Sequence, residues 1–175
     1  SNTTSSSYAI NNTNKLTVVS PYNNEHMELL DNFERDNNLP TDATTALLTT
    51  RGQKTEEEYK EHLAKDNEIS LTLYTGQKSI TDACIIHVSK DIKTCNIYFA
   101  PLSQKKKRPI INLAADYALN ILGMEEVFVS IKSTERPLID SLEQSFENLG
   151  EEDGYVTYLK EKESQAVSSN FTHLH

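Results

Sequence analysis

The run Lys105 to Arg108 places four cationic side chains in succession, with Gln104 before them and Pro109 directly after. Adjacent cations can hold a phosphate through charge-assisted hydrogen bonds, which are roughly twice as strong as neutral ones. The same run also reads as a solvated basic loop or as a patch for an acidic partner. Glu68, Asp82 and His87 are nominal proton acceptors, and His87 closes an apolar run where a packed or surface histidine is equally in keeping. Cys84 and Cys95 are the only cysteines, too few for a disulfide framework or a zinc cluster. They read as two buried thiols in a reducing compartment, and no metal site is expected.

These groups need elements to position them, and the periodicity supplies a succession of elements. Leu16 to Val19 is a short β-prone run. Met27, Leu30 and Phe33 recur at helical spacing, which predicts an amphipathic helix over Glu25 to Asp36. Thr55 and Glu58 have the spacing of a capping box and open a second helix that carries Tyr59 and Leu63. Three strands come next: Ile69 to Leu73 in alternation, Ala83 to Val88, and Cys95 to Phe99. Their short connections predict an antiparallel meander. Pro109 suits the first position of the strongest helix, whose apolar face runs from Ile110 to Leu122, and Gly123 stands where a C-cap glycine belongs. Val127, Val129 and Ile131 alternate as a strand able to run parallel to the preceding one. Leu138, Leu142, Phe146 and Leu149 have the spacing of a last helix ending at Gly150, and Tyr155 to Leu159 supplies a final strand. The expected fold class is α/β, an α+β mixed sheet with helices on its faces.

At 175 residues the chain fits one domain. Residues 1–14 are almost wholly Ser, Thr and Asn and are expected to be disordered or loosely docked, while 163–175 form a polar tail. The folded domain is expected over 15–162. A formal charge of −9 argues against general nucleic-acid binding, which needs a dominant positive field. No apolar run is long enough to span a membrane and no signal-peptide pattern opens the sequence, so a cytoplasmic location is expected.

The order β-α-α-β-β-β-α-β-α-β resembles that of the GNAT superfamily of N-acetyltransferases. The resemblance covers most of Lys15 to Lys160. It is most specific over "NIYFAPLSQKKKRPIINLAADYALNILGMEEVFVSI", which is similar to the family's strand, phosphate loop, helix and strand. "SLEQSFENLG" is similar to its closing helix, with Glu151 where the family usually has Phe. The family's loop reads Gln or Arg, two residues, Gly, one residue, then Gly or Ala, so that backbone N–H groups close around the cofactor pyrophosphate. Gln104 matches the first position; Lys107 and Pro109 replace the small residues, and Pro109 brings no N–H.

The resemblance implies acetyl-CoA as co-substrate, with no metal. It implies transfer of the acetyl group to a primary amine by direct attack in a ternary complex. The acceptor is a small molecule or a protein, and a homodimer is compatible with the family. Lys105, Lys106, Lys107 and Arg108 are implied to offset the lost backbone donors. The strand ending in Tyr98 and Phe99 is implied to splay from its parallel neighbour and to pair its backbone with the pantetheine arm. Many members carry a Tyr on the last helix that protonates the departing thiolate; Phe146 holds that place here and cannot donate. A GNAT-like fold without catalysis, acting as a binding or regulatory module, is the alternative. A third reading is an interaction domain whose basic loop meets an acidic partner without any cofactor.

Overall fold

The computed structural model describes residues 7–9, 15–40, 55–99 and 108–163, with 7–9 and 108 described in backbone alone. Eight strands form one mixed sheet in the order β1-β2-β3-β4-β5-β6-β8-β7. They are β1 Ser7–Ala9, β2 Lys15–Val18, β3 Glu68–Gly76, β4 Ile80–Ser89, β5 Thr94–Tyr98, β6 Glu126–Lys132, β7 Glu147–Glu152 and β8 Tyr155–Glu161. The helices are α1 Asn24–Asp36, α2 Glu56–Lys65, α3 Arg108–Asp116 and α4 Arg136–Leu142. All strand pairs are antiparallel except β5 with β6.

Alternation sorts the two faces of the sheet. Ile69, Leu71, Leu73, Cys84, Ile86, Val88, Cys95, Ile97, Val127, Val129 and Ile131 point to one face and are buried against Ile110, Ile111, Leu113 and Ala114 of α3 and Leu138, Ile139 and Leu142 of α4. The opposite face carries a smaller core. There Leu30 and Phe33 of α1 meet Val19, Tyr74 and Ala83. The spacing of Leu30 and Phe33 thus does what an amphipathic stripe must, laying one side of a helix on apolar surface. Asn23 starts α1 by accepting the His26 backbone N–H at 3.0 Å, and Thr55 starts α2 by accepting that of Glu58 at 3.1 Å.

Among the described residues, no helix is long and apolar enough to cross a membrane. The expected order of elements is present, with two strands added. Ser7–Ala9, inside a segment expected to be loose, pairs with Lys15–Thr17 as β1. The second addition is a correction. The helix expected to run through Leu149 stops at Leu142, and Glu147–Glu152 is a strand paired with β8. Leu149 is about half exposed and contributes nothing to a helical stripe. A two-residue turn, Asp153 (φ 52°) and Gly154 (φ 82°), closes the β7–β8 hairpin. Both residues need positive φ there, which Asp-Gly tolerates best. The long helix also departs from regularity: after Asp116 the chain widens into a π-helical turn, Tyr117–Ile121, in which Leu122 N–H reaches back to Tyr117 O at 3.0 Å. Gly123, at φ 77°, ends it.

Candidate functional site

The one parallel ladder is short. β5 and β6 pair from Thr94 with Glu126 to Ile97 with Val129. β6 then continues to Lys132, and among the described residues only β8 pairs with it from Ser130 onward. Tyr98, the last residue of β5, pairs with Ile85 on its other side. The parallel ladder therefore ends at Ile97 and Val129, while β6 runs three residues further. Backbone groups on that stretch of β6 have no ladder partner on the β5 side among the described residues, and such groups need one. The expected parallel neighbours are present.

Tyr98 closes β5 and is 49% exposed, and Phe99 comes next, partly buried against the larger core. Both stand just past the end of the parallel ladder. Gln104, Lys105, Lys106 and Lys107 lie outside the described residues, and Arg108 is described only as the first residue of α3. Asp82 is buried and its carboxylate accepts the Ala83 backbone N–H at 2.9 Å. Sequence reasoning set Glu68 and His87 side by side only as separate candidates, and the structure joins them.

Ser70 lies directly opposite His87, and Glu68 directly opposite Ser89, so the four share one sheet face. His87 Nε2 is 2.6 Å from Glu68 Oε1, and His87 Nδ1 is 3.0 Å from Ser70 Oγ. Ser89 Oγ donates to the same Glu68 oxygen at 2.8 Å, and Asn67 Nδ2 donates to Glu68 Oε2 at 2.9 Å. The bonds from His87 and Ser89 hold the Glu68 carboxyl below the usual carboxylate range, and Asp91 opposes them weakly. A carboxylate can only accept, so the neutral ring carries its proton on Nε2 and presents an acceptor Nδ1 to the Ser70 hydroxyl. Asn96 of β5 lies opposite His87 on the other side and Phe128 of β6 beyond it. Ser70, His87, Asn96 and Phe128 are all half-buried, in contrast to the sealed positions before and after them on each strand. No short motif could announce this group, because Ser70 and His87 meet only through the register of β3 and β4.

The other reactive types are shut away. Phe146 lies in the turn after α4, not on a helix, and is 5% exposed; its ring supports Lys160 Nζ, 5.7 Å from the centroid. Tyr158 of β8 is fully buried and donates to Glu143 Oε2 at 2.8 Å, so burial, with that carboxylate, pushes its phenol upward. Burial pushes the Cys95 thiol up to about 12, which leaves it a small hydrophobe rather than a nucleophile.

No family profile matches the chain, and none of the curated proteins does. Solved structures do match. The chain is similar to the spermidine N-acetyltransferase of Vibrio cholerae, a dodecamer, at 16% identity and a TM-score of 0.51, over 87% of this chain and 95% of that one. It is also similar to the N-acetyltransferase PseH of Campylobacter jejuni, at 14% identity and a TM-score of 0.51, over 87% of this chain and 100% of that one.

Proposed function

We propose that this chain, whose fold is that of the GNAT N-acetyltransferases, transfers an acetyl group from acetyl-CoA to a primary amine. The observation that carries this reading is the β5–β6 ladder, which stops at Ile97 and Val129 while β6 runs on to Lys132. An amide-rich arm such as pantetheine can pair with main-chain groups that no described strand satisfies, and that role needs no particular side chain. Tyr98 and Phe99 flank the arm in this reading. Gln104, Lys105, Lys106, Lys107 and Arg108 take the pyrophosphate, at the amino end of α3 where the helix dipole favours an anion. The neutral amine attacks the thioester carbon, a C–N bond forms, the C–S bond breaks, and the proton lost by the amine reaches the departing thiolate through water, because Phe146 has none to give. The acceptor is a small-molecule amine or a protein amine.

Thermal unfolding with acetyl-CoA tests the reading. At one hundred times its dissociation constant the cofactor raises stability by about 2.7 kcal/mol. Replacement of Lys106, Lys107 and Arg108 by Ala abolishes most of that gain and scarcely moves the melting temperature of the free protein. A flat melting temperature up to millimolar acetyl-CoA sinks the transferase reading in favour of a module that binds no cofactor. Binding without turnover on any amine favours the catalytically inactive module, for which the buried Phe146 speaks.

A further inference from the structure

The Ser70, His87 and Glu68 group lies on β3 and β4, one strand away from the β5–β6 ladder. Its geometry is that of an activated nucleophile: a hydroxyl 3.0 Å from an imidazole nitrogen, and that imidazole held from its other nitrogen at 2.6 Å by a carboxylate. The carboxylate is itself fixed, by Ser89 at 2.8 Å and Asn67 at 2.9 Å. In the neutral ring the tautomer follows from those partners, since Glu68 accepts from Nε2 and leaves Nδ1 to accept from the Ser70 hydroxyl. His87 keeps a third of its side chain in solvent and Ser70 is half-buried on the same open face, so a small reagent can reach the pair.

We propose that Ser70 is a reactive serine that accepts acyl groups from small activated esters, with His87 as its base and Glu68 as the positioning residue. Ser70 Oγ attacks the ester carbonyl carbon as its proton passes to His87 Nδ1. The new Oγ–C bond forms, the ester C–O bond breaks, and His87 returns its proton to the departing alkoxide, or to water when a phenolate leaves as the anion. The fate of the acyl-serine depends on a feature the site lacks. The N–H groups of Ile69 and Leu71, on either side of Ser70, belong to the continuous β3–β4 ladder, so the Ser70 N–H is not joined by a second one as a pair for an oxyanion, as in hydrolases. Deacylation, which passes through the same tetrahedral charge, is therefore slow. The expected behaviour is one equivalent of acylation and a persistent acyl-serine rather than turnover. This assignment stands apart from the transferase reading, since it involves neither acetyl-CoA nor the residues at the end of β5.

p-Nitrophenyl acetate and a fluorophosphonate are the probes. The parent protein is expected to release one equivalent of p-nitrophenolate and to carry the acetyl group on the peptide containing Ser70 by mass spectrometry. Ser70→Ala loses the label while its melting temperature holds, because only one oxygen is removed from a half-buried position. His87→Ala slows acylation by about 100- to 10,000-fold, the usual contribution of a positioned base. Added imidazole restores part of the rate in that variant, which a purely structural role for His87 does not allow. If His87→Ala fails to fold, the Ser70→Ala comparison decides alone. Labelling confined to lysines, or labelling of Ser70 that survives loss of His87 in a folded variant, overturns the assignment.

Discussion

The face of the sheet opposite α3 and α4 has two halves: α1 lies on one, and among the described residues the other keeps solvent contact. Over β2, β3 and β4, α1 seals Val19, Tyr74 and Ala83 under Leu30 and Phe33. Along the strip from β3 to β6, Ser70, His87, Asn96 and Phe128 keep solvent contact. The sealed half buries polar groups too, and His26 shows how one is satisfied: it is 8% exposed, its Nδ1 accepts the Ser20 backbone N–H at 3.2 Å, and its ring meets Tyr74 edge-on at 6.0 Å. The open half collects the polar network. One face of one sheet can thus hold the chain together at one end and offer reactive groups at the other, because burial costs a polar group its water and exposure returns it.

The contrast is sharpest where stability is measured. Phe33→Ala empties a site that is 6% exposed and is expected to cost about 3–5 kcal/mol, read as a shift in the denaturant midpoint. Phe128→Ala on the open half is expected to cost well under that. Equal losses at the two positions would erase the distinction drawn between the halves.

Acid is the next lever. Burial lowers the His26 imidazole below its ordinary value, with Glu25 pulling weakly the other way. The folded chain therefore favours neutral His26, and the unfolded chain takes up the proton first. Stability from this residue is complete above about pH 6.5, the unfolded value, and drains away as pH falls toward the lower folded value. Melting temperatures at pH 7.5 and 5.5 are expected to fall further for the parent than for His26→Gln, whose amide oxygen can still accept the Ser20 N–H. An equal fall in both proteins would remove His26 from the account.

The smallest effect on stability is expected at Tyr98, just past the end of the β5–β6 ladder. Tyr98→Ala alters an exposed side chain and is expected to change stability within about 0.5 kcal/mol. Under the transferase reading it weakens acetyl-CoA binding, measurable by calorimetry. Unchanged affinity would limit the contribution of this strand to its backbone.

Much of this architecture could be read from local pattern. Alternation marked β3 and β6, short runs between turn signals marked β4, β5 and β8, and the Leu30–Phe33 stripe and Thr55 placed the first two helices, since period and capping are properties of neighbouring residues. The closing helix failed for a reason equally local. Phe146 and Leu149 keep helical spacing from Leu142, yet Asp153-Gly154 is a two-residue hairpin turn, and a hairpin requires a strand before β8. The turn was visible in the sequence and outranked the spacing. Of the site, Tyr98 and Phe99 could be placed at a strand end.

Neighbouring residues were enough to say which positions alternate, which helices are amphipathic and where the chain must turn, because each of these depends on residues a few positions apart. That β5 and β6 pair for four positions, Thr94 to Ile97 with Glu126 to Val129, emerged only from the assembled sheet. So did the meeting of Ser70 and Glu68 with His87, residues 17 and 19 positions away. Those outcomes rest on strand register, which is fixed when a whole face is buried: a one-residue slip of β4 against β3 would turn His87 inward and Ile86 out to water.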